Sequence, residues 1–197
     1  GATKAPDLPT EFKMPPVGAW SEYRIINIEG PDTVLIKYSL TGREKYDKAD
    51  CYWFEYHIAR DEEVDIIKML ISGDPKDPDN LKRLIVKRGD DRPIELPVPK
   101  RHSAVPESAK TPEPVTLGSE TIITPAGKLK CTHLTVKNMK NKIDFWTNEK
   151  IPFFGLARSV DGNSVIEIMR YGKTGAKTGI TEKPQKMPTP GMPRKGR

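Results

Sequence analysis

The stretch YGKTGAKTG (171–179) holds Gly-Lys-Thr, residue types that cradle phosphate when they open a helix. That chemistry also needs a glycine five residues before the Gly-Lys pair, and for Gly172-Lys173 this position is Glu167. A Pro-rich stretch follows where a helix would have to start, so phosphate binding is rejected. Cys51 with His57, and Cys131 with His133, each fall on one face of an extended segment. Cys51 and His57 are six residues apart, about 20 Å along a strand and too far to share one ion. Cys131 and His133 are close enough, but a small buried thiol beside an ordinary histidine is the preferred reading, and no metal site is expected.

Nucleophilic catalysis needs a nucleophile, a base and an orienting group. The chain has three histidines, His57, His102 and His133, and His102 lies in a Pro-rich segment. Neither GxSxG nor HExxH occurs, and the carboxylate pairs Glu62/Glu63 and Asp90/Asp91 sit at turns. No enzymatic activity and no cofactor are expected. The two cysteines are 80 residues apart, and either one disulfide or two free thiols fits.

These residues must be positioned by strands. Of 197 residues, 36% are hydrophobic and 30% charged, enough for one core, and no apolar run approaches the roughly 18–20 residues that span a bilayer. Ten segments are rich in β-branched and aromatic residues: 19–29, 32–40, 51–59, 64–72, 81–88, 119–125, 128–138, 142–148, 154–160 and 164–172. Turn signals separate them, among them Glu29-Gly30-Pro31-Asp32, Thr41-Gly42 and Asp161-Gly162-Asn163. The fold expected is mainly β, a curved antiparallel meander of about ten strands with few or no long helices. Several strands are apolar on both faces. In Cys51–Ala59, for instance, Tyr52, Phe54, Tyr56 and Ile58 oppose a face that carries Trp53, and in 65–71 Ile67, Met69 and Ile71 oppose Ile66 and Leu70. A sheet of that kind curls and encloses apolar space.

The chain divides into an extended lead-in (1–17), one β domain (18–172) interrupted by a Pro-rich loop (97–115), and a basic Pro-rich tail (173–197) expected to be disordered. From Gly172 onward there are seven basic residues and one acidic, Glu182, so this segment carries the whole net charge of +6. A neutral body argues against nucleic acid as a partner, while the tail leaves contact with an anionic membrane surface open.

Residues 127–172 carry a more specific pattern: a Gly-led strand with a central Cys131, an acidic-aromatic-Trp strand (DFWTN, 144–148), the connection IPFFGLARS (151–159) and a closing strand. With GAWSEYRI (18–25) and RLIVKRGDDRPIEL (83–96), the chain resembles bacterial cell-envelope proteins of the LolA/LolB lipoprotein-carrier type. The resemblance implies a half-barrel around an apolar cavity, a periplasmic or cell-envelope location after removal of a signal peptide, and binding of an apolar ligand, lipid or lipoprotein acyl chains. The departures are the missing lid helices and the missing lipid-anchor cysteine near residue 1. The ligand site expected in the concave face comprises Phe54, Tyr56, Met69, Phe145, Trp146, Phe153 and Phe154; core packing stays open for Phe54, Tyr56 and Met69, as does plugging of the barrel end by Phe153 and Phe154. On this reading Phe54→Asp or Phe145→Asp abolishes ligand retention in a folded protein. The alternative is an envelope interaction or scaffold protein that takes no small molecule and docks a partner through edge strands or Pro-rich segments.

Overall fold

The computed structural model describes residues 11–28, 30, 33–98, 113–137 and 142–187. The protein is mainly β, and its strands form one open curved sheet. The strands are β1 (Trp20–Asn27), β2 (Thr33–Tyr46), β3 (Ala49–Arg60), β4 (Glu63–Ile71), β5 (Leu81–Lys87), β6 (Ile94–Leu96), β7 (Val115–Thr124), β8 (Gly127–Lys137), β9 (Lys142–Thr147), β10 (Leu156–Val160), β11 (Ser164–Gly172) and β12 (Gln185–Lys186). Their order across the sheet is β12-β6-β5-β4-β3-β2-β1-β11-β10-β9-β8-β7. Two meanders, β1–β6 and β7–β11, meet where β1 pairs antiparallel with β11, from Trp20↔Gly172 to Asn27↔Ser164. The ten segments read from the sequence are all strands. β6 and β12 are three and two residues long, too short to carry a periodic signal.

One turn is displaced from its expected position. Strand β2 does not stop at Thr41-Gly42 but runs through it, with a bulge between Leu40 and Gly42. The hairpin turns at Asp47-Lys48, where φ is 47° and 68°. A two-residue hairpin turn that follows strand twist needs both central residues in this left-handed region, whereas a glycine inside a strand marks a bulge.

The basic segment expected as a tail is, over 173–187, a strap across one face of the sheet. Ala176 N–H donates to Gly18 O at 2.9 Å, and Trp20 Nε1 donates to Thr174 O at 3.1 Å. Ile180 packs on Ile66, Ile85 and Trp53. β12 then adds to β6 in parallel. Residues 188–197 lie outside the described residues, as do 1–10 and 99–112 of the expected lead-in and loop. The described end of the lead-in is part of the core. Phe12 is buried, and Lys13 N–H donates to Phe153 O at 2.9 Å.

Glu55 on β3 fastens the strap. Its side chain is fully buried, and Gly179 N–H donates to its Oε2 at 2.9 Å. Thr178 Oγ1 donates to Oε1, Lys68 Nζ stands 3.2 Å away, and His57 Nε2 lies 3.0 Å from Oε2. Burial works against ionisation, but the hydrogen bonds of His57, Gly179 and Thr178 and the Lys68 charge outweigh it and hold the carboxyl down to about 2. Glu55→Gln therefore strands the Lys68 ammonium, and a loss of about 3 kcal/mol is expected in denaturant unfolding. Because the folded carboxyl lies below its ordinary 4.5, its contribution is complete above that pH. The contribution fades as pH falls towards about 2. Acid titration by circular dichroism should show this loss in the wild type and a flatter profile for Glu55→Gln across the same window.

Cys51 and Cys131 are both free and both buried. Burial pushes each thiol up in pKa, for Cys131 with Glu120 adding to the effect. A thiol in this state is a poor nucleophile. An Ellman assay should find neither thiol reactive in the native protein and both reactive after denaturation. Non-reducing electrophoresis should show no intrachain disulfide.

Candidate functional site

Alternation along β3–β6 sends one set of side chains to each face. Pairing aligns Phe54 with Met69, Met69 with Leu84 and Leu84 with Leu96. A second row runs Tyr56, Ile67, Val86, Ile94. Burial falls along both rows. Phe54 and Tyr56 are buried, Ile67, Met69, Leu84, Val86 and Leu96 are half-buried, and Ile94 is exposed. On the opposite face of β4 and β5, Ile66, Leu70 and Ile85 are buried, with Ile180 of the strap against Ile66 and Ile85. The inner face of β4–β6 is thus an apolar shelf of two side-chain rows, continuous with the core but only partly covered. Of the side chains on β4–β6 here, Met69 alone stood in the expected ligand site, and Ile67, Leu84, Val86, Ile94 and Leu96 did not. The alternation of Leu84 and Val86 with Arg83 and Lys87 was the available signal.

The core ends at the shelf because a plug fills the face over β1–β3. Four of the expected ligand residues, Phe54, Tyr56, Phe153 and Phe154, come together there with Phe12 and Tyr38. Ring centroids are 5.3 Å apart for Phe54–Phe153, 5.5 Å for Phe12–Phe154 and 5.2 Å for Tyr38–Tyr56. The loop that delivers Phe153 and Phe154 is tightly wound. Asn148 N–H donates to Gly155 O at 2.7 Å, and Ile151 N–H donates to Asn148 O at 3.1 Å. Phe153 sits at φ 71°, a strained position for a bulky residue. Gly155, at φ 65°, has no room for a side chain, since a Cβ would stand 3.2 Å from Asn148 O. Phe54 and Tyr56 are buried in this plug, whereas Phe153 and Phe154 also bound a cleft beside it. That cleft, of about 460 Å³, is bounded by Met14, Lys150, Ile151, Phe153, Phe154 and Lys173.

Phe145 and Trp146, adjacent on β9, point to opposite faces. Phe145 is core, in register with Leu134 and Ser159. Phe54 and Phe145 are 2% and 1% exposed, so an aspartate at either position unfolds the protein before it reports on a ligand. Trp146 belongs to a polar row on the other face, Arg24–Glu167–Arg158–Trp146–His133. It stacks on His133 with centroids 4.4 Å apart, and its Nε1 donates to Glu120. His133 Nδ1 lies 3.0 Å from Glu120 and Nε2 lies 3.1 Å from Asp144. Burial opposes ionisation of Asp144, but Lys142 and His133 hold its carboxyl below its usual range. Both ring nitrogens of His133 are therefore engaged by carboxylates, and His57 Nε2 is engaged by Glu55. Neither histidine is set up as a base for Cys131 or Cys51. No cluster of metal-ligating side chains occurs among the described residues. The expected ligand residues thus stand in different places: Met69 on the shelf; Phe54 and Tyr56 buried at the heads of its two rows; Phe145 in the core; Phe153 and Phe154 between the core and the cleft; and Trp146 in the polar row.

No protein-family model and no curated protein sequence matches this chain. Among the solved structures similar to it are the following two. A presumed exported protein with a YmcC-like fold from Bacteroides fragilis NCTC 9343 aligns over 83% of this chain and 100% of its own, at 14% identity and TM-score 0.41. A presumed lipoprotein from Parabacteroides distasonis ATCC 8503 aligns over 83% of this chain and 99% of its own, at 11% identity and TM-score 0.38. Neither structure's name is that of a LolA/LolB-type carrier.

Proposed function

We propose that this is a non-enzymatic cell-envelope protein that holds an apolar chain, from a lipid or from a lipoprotein's acyl groups, against the shelf of β4–β6. The observation that carries this reading is the pair of apolar rows on three neighbouring strands whose other face is already covered. Fully burying an aliphatic side chain is worth about 1.5–3 kcal/mol, and about half of that remains available at each shelf position. Over six side chains this comes to on the order of 5 kcal/mol, before the entropy of association is subtracted. No covalent step is involved. The envelope location follows from the resemblance of residues 127–172 to the carrier proteins and stands or falls with it.

A second reading is favoured by a different feature. β7 is a ten-residue edge strand whose Val115, Leu117 and Ile123 are exposed. A long apolar edge is where an extended segment of a protein partner adds a strand, which would make the sheet a scaffold with no small-molecule ligand.

Native mass spectrometry and organic extraction of the purified protein separate the two. The shelf reading expects a co-purified lipid adduct. Leu84→Asp and Val86→Asp, at half-exposed positions, should stay folded by circular dichroism and lose the adduct. A wild-type protein that carries no lipid and retains none when loaded contradicts the shelf reading. Retention of a protein partner that is lost on Leu117→Lys would establish the edge reading in its place.

A further inference from the structure

The two shelf rows begin on β3 with aromatic residues of different chemistry. Phe54 is purely apolar. Tyr56, only 8% exposed, carries a phenol whose Oη is buried with no hydrogen-bond partner among the described residues. Its register partners are Tyr38 and Ile67, so its side chain stands on the shelf face. The nearby Tyr23 shows the usual solution, with its Oη donating to Leu156 O at 3.1 Å. A buried hydroxyl without a partner forfeits its desolvation energy. A phenylalanine would stack on Tyr38 equally well without that loss. Burial pushes the phenol up in pKa, with Arg60 acting the other way, so the group is a neutral donor at neutral pH.

We propose that Tyr56 is the polar handle of the shelf: the bound chain lies along Ile67, Val86 and Ile94 and presents a carbonyl or carboxylate oxygen to Tyr56 Oη. The ligand is then an amphiphile with an oxygen at the end of its chain, a fatty acid or an acyl ester, and not a plain hydrocarbon. The inference rests on the shelf being the ligand site. For the acceptor to reach Oη, a half-buried neighbour on the same face, such as Ile58 or Ile67, must change rotamer.

Tyr56→Phe removes one oxygen and keeps the ring. The melting temperature of the ligand-free variant should equal or exceed that of the wild type, because an unpaired hydroxyl is lost. A clear drop would show that Oη is already bonded and would overturn the proposal. Affinities can be read by displacing N-phenyl-1-naphthylamine with dodecanoate, methyl dodecanoate or dodecane. The wild type should prefer the oxygenated chains to dodecane. Tyr56→Phe should weaken these roughly three- to tenfold and leave dodecane unchanged. Weakening of both oxygenated chains identifies a carbonyl as sufficient, whereas weakening of dodecanoate alone identifies the free acid. Equal weakening of all three chains, or no change in any, overturns the handle and leaves the shelf standing. A wild type that takes up neither the dye nor any chain overturns both.

Discussion

Strands β4 and β5 are apolar on both faces, and a strand of that kind needs two covers. On one side stand Ile66, Leu70 and Ile85, and on the other Ile67, Met69, Leu84 and Val86. Much of the architecture follows from this constraint. The strap supplies the first cover, with Ile180 set against Ile66, Ile85 and Trp53. Its hold is polar as well as apolar. Glu55 takes the Gly179 N–H and the Thr178 hydroxyl at a point where Gly179 has no space for a side chain. A carboxylate can stay charged out of water only when donors surround it, and here they come from both the sheet and the strap.

The second cover is partial. The plug of Phe12, Phe153 and Phe154 closes the inner face over Tyr38 and Phe54, and the rows beyond them on β4–β6 remain half-exposed. The plug is held by its own loop hydrogen bonds and by Lys13, and it keeps Phe153 in a strained backbone region. Such strain persists only where the surroundings over-determine it. The inner face is therefore filled at β1–β3 and left partly exposed at β4–β6, where the proposed ligand lies.

The other end of the sheet meets its burial requirement differently. Arg158 on β10 donates to Ile123 O on β7 at 2.7 Å, although β9 and β8 lie between them in the sheet order. The sheet has curled until two strands separated by two others touch. Ile122, Leu129 and Cys131 are buried by this curl, while Glu167 pairs with both Arg24 and Arg158 beside them. One end thus closes on a charged network and the other is covered by a strap and a plug. The first leaves Val115, Leu117 and Ile123 exposed along its edge strand, and the second leaves the shelf partly open.

The strands themselves were legible in the chain because alternation and β-branched content are local properties: residues two apart share a face whatever lies across from them. Apolar character on both faces was legible for the same reason. The hairpin turn at Asp47-Lys48 was not, because Gly42 is the stronger local turn signal and only pairing with β3 shows it to be a bulge. Whether an aromatic residue lines a cavity or fills it was also out of reach. Phe54, Phe145, Phe153 and Phe154 look alike in sequence, and the burial of Phe54 depends on Phe12 and on Phe153, both far from β3 in the chain. The KTGAKTGI segment reads as polar and glycine-rich. Its place on the sheet depends on distant partners: Glu55, 123 residues before Thr178, accepts from Thr178 and Gly179, and Ile180 packs on Ile66, Ile85 and Trp53. Local residue order dictates a two-sided apolar β meander. Which faces were covered, by what, and which was left open was decided only when distant segments met, because burial is a property of the assembled surface and not of any segment.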